Sequence, residues 1–177
     1  MNTYIALLRG INVGGKNSLP MHELASYFEE MGCEGVKTYV QSGNVVFQNR
    51  RKLDERDTAI IAKRILQAKG FEPKILLLTS AELGTAIENN PFPTDNGKAL
   101  HFFFLESRAE RPDIAQLESA KADTETFHLG DRVFYLHAPD GVGRSRLAAS
   151  AEKALGVSTT ARNWNTVAKL ISMLELK

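Results

Sequence analysis

Apolar residues in the first half of the chain alternate between two spacings, the compact runs typical of strands and the repeat of three to four residues typical of helices. The pattern predicts six elements, in the order strand 3–9, helix 20–31, strand 36–40, strand 44–48, helix 53–69 and strand 74–79. In the second helix, Ile61, Ile65 and Ala68 are predicted to share the buried face. This order of elements is that of a ferredoxin-like unit, or α-β plait.

The second half of the chain repeats this architecture imperfectly. The pattern predicts a short helix at 81–88, a strand at 99–105, a helix after Pro112, strands at 124–129 and 132–137, a helix at 145–155 and a final amphipathic helix built on Val167, Leu170, Ile171 and Leu174. The two-residue link Gly130 and Asp131 suits a tight hairpin turn. The short extended segment 157–161 is predicted to replace the last strand.

The predicted fold class is therefore α+β, with two ferredoxin-like units in tandem. The segment 89–97 is rich in Pro and Gly and is the best candidate for a boundary. We expect the first unit at 1–80, a helix and linker at 81–97, and the second unit with the C-terminal helices at 98–177.

Composition indicates a water-soluble chain. Of 177 residues, 43% are apolar, and the apolar runs are too short to span a bilayer. The N-terminus lacks the features of a secretory signal, and the single cysteine fits a reducing compartment. We expect a cytoplasmic protein without membrane association. No spacing of His, Cys, Asp or Glu indicates a metal site, and the pattern identifies no cofactor and no oligomeric state.

A glycine-rich loop, RGINVGGKNS at residues 9–18, is the first candidate for chemistry. It is similar to a phosphate-binding loop through Gly10, Gly15 and Lys16, but Asn17 stands where that motif requires Ser or Thr for magnesium. The predicted helix also begins about three residues beyond Lys16, and the second predicted strand leads into an antiparallel hairpin instead of a parallel sheet. An anion nest of backbone N–H groups remains one interpretation, and a wide turn with Lys16 solvated is the other.

Basic and amide residues near the C-terminus form a second candidate. Residues 143–177 carry six basic and two acidic groups. Arg144 precedes Ser145, a predicted helix cap, and Trp164 is predicted either to pack as a hydrophobic staple or to stack on a ligand ring. The candidate ligand-binding residues are Arg9, Gly10, Asn12, Gly14, Gly15, Lys16, Asn17, Ser42, Asn44, Arg144, Arg162, Asn163, Trp164 and Asn165.

Four stretches of the chain together resemble one bacterial family. ALLRGINVGGKNSLPMHEL, TYVQSGNVVF, GRSRL and TTARNWNTVAKL resemble the family designated domain of unknown function 1697. The resemblance spans essentially the whole chain and implies a pair of ferredoxin-like α/β units. It implies no activity, cofactor or catalytic residue, although it favours a common surface for the glycine-rich loop and residues 162–166.

The sequence leaves three classes of function open. The first is a binder of an anionic or phosphorylated small molecule, either catalytic or not, because Arg and Lys side chains suit phosphate and carboxylate groups. The second is a nucleic-acid-binding module, for which Tyr4 and Phe47 are the candidate stacking residues. The third is a non-catalytic interaction or scaffold protein. No His, Ser or Cys is placed by the pattern as a catalytic residue.

Overall fold

The computed structural model describes residues 1–175, and within them the chain forms two four-stranded antiparallel sheets and six helices. This confirms the predicted α+β class and the tandem α-β plait units. By their contacts the residues group into two compact units, Met1–Gly84 with the chain from Leu170 onward, and Thr85–Lys169. The exact domain boundaries expected from the sequence stay a prediction.

The first unit follows the predicted order of elements. Its elements are β1 (Asn2–Arg9), α1 (Met21–Glu29), β2 (Glu34–Tyr39), β3 (Asn44–Asn49), α2 (Glu55–Lys69) and β4 (Lys74–Thr79). The strand order is β2-β3-β1-β4, with every neighbouring pair antiparallel. Because Leu7 pairs with Asn44, the C-terminal end of β1 lies beside the β2–β3 turn.

Local sequence explains the helix bounds in this unit. Asp54 caps α2 by accepting from Arg56 N, and Asp57 reaches back to Asp54 N in a capping box. Gly70 ends α2 in the left-handed conformation. Ile61 and Ile65 are buried as predicted, but Ala68 is exposed, so that part of the prediction is wrong. The helix turns Ala68 to solvent near its end, where the sheet no longer covers it.

The core of the first unit lies between the helices and one face of the sheet. Tyr4 stacks on Phe47 with ring centroids 5.7 Å apart, and Phe28 of α1 packs on Phe47 at 4.9 Å. All three rings are buried, and each contributes about 1.5–3 kcal/mol through the apolar area removed from water. Tyr4 keeps its hydroxyl satisfied by accepting a hydrogen bond from Leu53 N.

The second unit repeats the same strand order. The remaining elements are α3 (Ser80–Glu88), β5 (Leu100–Leu105), α4 (Ile114–Ala120), β6 (Thr126–Leu129), β7 (Val133–His137), α5 (Arg146–Leu155), β8 (Thr159–Asn163) and α6 (Trp164–Glu175). The order β6-β7-β5-β8 is antiparallel throughout. The extended segment expected to replace the last strand is itself a strand, shifted two residues toward the C-terminus.

The hairpin turn of the second unit differs from its prediction by one residue. Gly130 N donates to Val133 O at 2.8 Å, so Asp131 and Arg132 are the central residues of the turn, and Gly130 precedes them. Gly130 and Val133 are therefore the last residue pair of the hairpin before its turn. The sequence suggested Gly130 as a central residue because glycine is frequent there, whereas the register of β6 on β7 assigns it to the strand end.

Candidate functional site

The glycine-rich loop between β1 and α1 folds into a miniature hairpin. Lys16 N donates to Val13 O at 3.0 Å, and Asn12 N donates to Asn17 O at 3.0 Å. The two central residues of its turn, Gly14 and Gly15, have φ of +57° and +72°. Two consecutive positive φ values match the twist of a two-residue hairpin and favour glycine. We call residues 12–17 the glycine hairpin.

The side chain of Asn12 ties the glycine hairpin to the rest of the first unit. Its Nδ2 donates to Leu19 O and to Gln41 O, each at 2.9 Å, and its Oδ1 accepts from Leu19 N at 2.8 Å. Asn12 also has φ of +52°, a conformation that asparagine tolerates better than most residues. Asn12 is therefore the residue that positions the loop.

The β2–β3 connection, residues 40–43, lies against the base of the glycine hairpin. Leu8 N at the end of β1 donates to Gly43 O at 2.8 Å. Gly43 has φ of +84°, and a Cβ there would lie 2.6 Å from Ile11 Cδ1 and 2.8 Å from Leu8 Cβ. Only glycine fits this contact. We call residues 40–43 the paired turn.

Three of the sequence candidates serve to build these two loops. Asn44 is fully buried, and its Nδ2 donates to Tyr39 O at 2.8 Å and to Ser42 Oγ at 3.1 Å. Asn17 Nδ2 donates to Gly10 O at 2.7 Å. These amides satisfy backbone groups that irregular loops otherwise leave unpaired. Their placement gives them a structural role in shaping the loops.

Basic side chains lie on and beside the glycine hairpin. Lys16 is exposed and makes no ion pair with any residue of 1–175. Arg9 ends β1, and the antiparallel register places it directly opposite Lys74 of β4. Two further basic residues therefore lie at the strand ends from which the loop leaves. Lys74 was missed by sequence reasoning, because local periodicity does not specify which residues of two strands lie opposite each other.

The candidates at residues 144 and 145 lie at the start of α5. Ser145 caps this helix because its Oγ accepts from Ala148 N at 3.0 Å, which confirms the predicted cap. Arg144 precedes the cap and is exposed. The serine oxygen thus satisfies one of the N–H groups at the helix start, and Arg144 adds positive charge beside it.

The candidates at 162–165 lie where β8 runs into α6. Arg162 is buried, its Nη1 donates to Ala161 O at 2.9 Å, and burial lowers its pKa to about 10, so it stays charged at neutral pH. Asn163 Oδ1 caps α6 by accepting from Thr166 N at 3.0 Å. Trp164, the first residue of α6, packs on Phe102 of β5 with ring centroids 5.8 Å apart.

Asn165 is the exposed member of this second group. Its side chain lies over Gly97, which leaves no space for a Cβ at that glycine. The close approach explains why a glycine occupies the end of the segment 89–97. The sequence shows Gly97 but gives no sign that Asn165 is its partner, because the two residues are distant along the chain.

The fourteen predicted residues divide between the two units. The structure brings nine of them together in adjoining loops of the first unit, namely Arg9, Gly10, Asn12, Gly14, Gly15, Lys16, Asn17, Ser42 and Asn44. The other five, Arg144, Arg162, Asn163, Trp164 and Asn165, belong to the second unit. The site of the first unit is the one that exposes a cation on a tethered, glycine-rich turn.

The two residues considered for stacking on nucleic acid bases are not on an open face. Tyr4 and Phe47 point toward α1 and α2, and both are no more than 2% exposed. A base cannot reach their rings without displacing the helices. This geometry removes the residue-level argument for recognition of single-stranded RNA by the first sheet.

The part of the chain that the structure describes contains neither a cluster of metal-ligating residues nor a helix that could span a membrane. Among residues 1–175, no three His, Cys, Asp or Glu side chains lie together in a way that could hold a metal ion. Within that same part of the chain, every helix is too short or too polar to cross a bilayer.

Comparisons with known proteins identify a family and a similar fold. The model of a family described as "Protein of unknown function (DUF1697)" matches residues 1–135. A solved structure of the conserved bacterial protein SP0830 from Streptococcus pneumoniae is similar, with a TM-score of 0.67 and 25% sequence identity. The match covers 98% of each chain. No protein with a curated description matches the chain.

Proposed function

The chain belongs to the DUF1697 family of proteins of unknown function, and we propose that it binds an anionic or phosphorylated small ligand at the tip of the glycine hairpin. One observation carries this proposal. Lys16 is exposed without an ion pair among residues 1–175, on a turn that Asn12 holds in place through three hydrogen bonds. A tethered loop loses little conformational entropy when it binds a ligand.

Backbone groups of the same turn add donors for an anion. The hairpin uses the N–H groups of Asn12 and Lys16, while within residues 1–175 those of Gly14 and Gly15 make no hydrogen bond. Both glycines are exposed and have positive φ. Successive N–H groups in such turns form concave anion sites. Lys16 would supply the charge and the two glycines the directional donors.

Positive charge at the neighbouring strand ends supports the same ligand class. Arg9 and Lys74 are opposite each other at the edge of the sheet from which the loop leaves. Attraction of an anion toward basic residues at this end of the sheet would weaken as salt is added. The proposal assigns no catalytic residue.

Binding measurements with a matched pair of variants test this proposal. Inorganic phosphate, nucleotides with and without magnesium, anionic metabolites and short RNA would be titrated by calorimetry into the wild type, Lys16→Ala and Lys52→Ala. Lys52 is also an exposed loop lysine without an ion pair among residues 1–175. Loss of one charged hydrogen bond is worth about 1.5–3 kcal/mol, so Lys16→Ala should weaken binding by at least about tenfold.

Three results are informative. Weaker binding in Lys16→Ala with unchanged binding in Lys52→Ala supports the site. Equal binding by the wild type and Lys16→Ala, or no binding of any anion, overturns it. Binding of RNA alone, with a strong dependence on salt, would favour the nucleic-acid alternative.

A further inference from the structure

Two exposed apolar side chains lie on the loops that carry the proposed site. Val13 of the glycine hairpin is 66% exposed and Val40 of the paired turn is 45% exposed. Most large apolar side chains of this unit are buried in its core. The two loops of this surface therefore present two apolar side chains together with the cation Lys16.

Val40 has a conformation that its side chain disfavours. Its φ is +50°, in the left-handed region, where a β-branched residue is an outlier. Asn12 and Asn17 take the same region with a residue type that tolerates it. Strain of this kind on an exposed turn concentrates at functional sites. Asparagine at position 40 would keep the turn and remove the strain.

A hydrogen bond links the two loops that carry the valines. Asn12 Nδ2 donates to Gln41 O at 2.9 Å, and Val13 and Val40 are the residues next to that pair along the chain. Val13 and Lys16 form an antiparallel bridge, so their side chains leave the same face of the glycine hairpin. An apolar group and a cation are thus presented together.

From this juxtaposition we infer that the ligand carries an apolar group next to its anion, as an aryl or alkyl phosphate does. The inference rests on the proposed function and specifies its ligand class. The anion lies at Lys16 and the glycine amides, while the apolar group covers Val13 and Val40. Covering both valines removes apolar surface from water and strengthens binding.

Two phosphate monoesters of the same charge type provide the test. Methyl phosphate and phenyl phosphate would be titrated by calorimetry into the wild type, Lys16→Ala, Val13→Ser, Val40→Asn and Ile60→Ser. Ile60 lies on α2 and is 47% exposed, which makes it a matched control. The wild type should bind phenyl phosphate about fivefold more tightly than methyl phosphate. Val13→Ser and Val40→Asn should reduce this preference, and Ile60→Ser should not.

Thermal unfolding adds a second measurement on Val40. Relief of the strain in Val40→Asn should raise the midpoint of unfolding by about 2 °C or more, while the preference for phenyl phosphate falls. A valine present only for packing would give a lower midpoint instead, and that result contradicts the inference.

The outcomes separate the inference from the proposed function. Equal affinities for the two esters, both reduced in Lys16→Ala, would overturn the inference and leave the proposed function standing. A preference that persists in both valine variants would also overturn the inference. If neither ester binds, or if Lys16→Ala changes nothing, the proposed function fails and the inference fails with it.

Discussion

The two units place the same backbone hydrogen bond at the same position of the sheet. Leu8 N at the end of β1 donates to Gly43 O at 2.8 Å, and Leu105 N at the end of β5 donates to Arg132 O at 2.9 Å. In both units this bond joins the first strand to the turn of the central hairpin. The two sheets therefore share this connection, and the units differ in the side chains and contacts of their loops.

The loops differ in how they are held and in how charge is balanced. In the first unit, the loop amide of Asn12 reaches the paired turn, and Lys16 has no ion-pair partner within residues 1–175. In the second unit, Arg132 reaches back from the turn to Leu105 O and Glu106 O, and Arg108 pairs with Asp131. Lys16 is thus exposed without an ion pair among residues 1–175, whereas Arg108 and Asp131 beside the turn of the second unit neutralise each other. On a scaffold that repeats in this way, we expect the function of the protein to depend on its loops.

The largest effect is expected where glycine is required by both conformation and space. Gly43→Ala should lower the free energy of unfolding by about 3 kcal/mol, because the new Cβ meets Leu8 and Ile11 in a left-handed turn. Gly32→Ala is the control, since Gly32 has φ of +78° with open space around it, and should cost about 1 kcal/mol. Urea denaturation measures both, and equal losses would contradict the packing argument.

The tether of the glycine hairpin gives the next effect. Asn12→Ala removes three hydrogen bonds and should lower the free energy of unfolding by about 2–3 kcal/mol. Asn17→Ala has nearly the same φ but loses one bond, so about 1 kcal/mol is expected. Urea denaturation of the two variants compares their free energies of unfolding. If Asn17→Ala is the more destabilised, Asn12 is not the tether.

In the second unit, the equivalent contact joins Arg132 to the end of β5. Arg132 is exposed, so loss of this contact should lower the free energy of unfolding less. Arg132→Ala loses two hydrogen bonds to main-chain oxygens and should cost about 0.5–1 kcal/mol. Arg108→Ala removes an ion pair whose side chains are 73% exposed, and such pairs contribute little. Thermal unfolding should therefore rank Arg132→Ala below Arg108→Ala in stability, and the reverse order would show that the two units are not held in comparable ways.

The smallest expected effect is a dependence on pH confined to the second unit. His101 of β5 is buried, and its Nδ1 has no hydrogen-bond partner among residues 1–175. Burial lowers its pKa below the ordinary 6.5, and a hydrogen bond with the Ala99 backbone offsets this only in part. The unfolded chain therefore takes up a proton at a higher pH than the folded chain does. Stability from this group is present above the unfolded pKa and is lost as the pH falls toward the folded pKa.

A variant without the ionisable ring isolates this contribution. In His101→Gln, the free energy of unfolding should change less between pH 7.5 and pH 5 than in the wild type. His22→Gln, which replaces an exposed histidine of the first unit, is the matched control variant. Amide exchange of β5 and β7 would report the second unit directly. Identical pH profiles for the wild type and His101→Gln would contradict the prediction.

The sequence predicted the order of strands and helices because each element carries its own periodicity and its own end signal. Ser145 caps α5, as the pattern indicated, while Gly70 ends α2 and Asn163 caps α6. The shape of the site depends instead on contacts between distant residues. The bond from Asn12 to Gln41 and the position of Lys74 opposite Arg9 follow from strand pairing, which local periodicity does not specify.

The most direct test of the central claim is a titration followed by amide chemical shifts. Phenyl phosphate would be added to the ¹⁵N-labelled chain, with Arg144 at the start of α5 as the internal comparison. We expect the largest shifts at the amides of Gly14, Gly15 and Lys16, and little change at residues 144–146. Shifts centred on residues 144–146, or no shift in the glycine hairpin at saturation, would contradict the claim that this hairpin binds the anion.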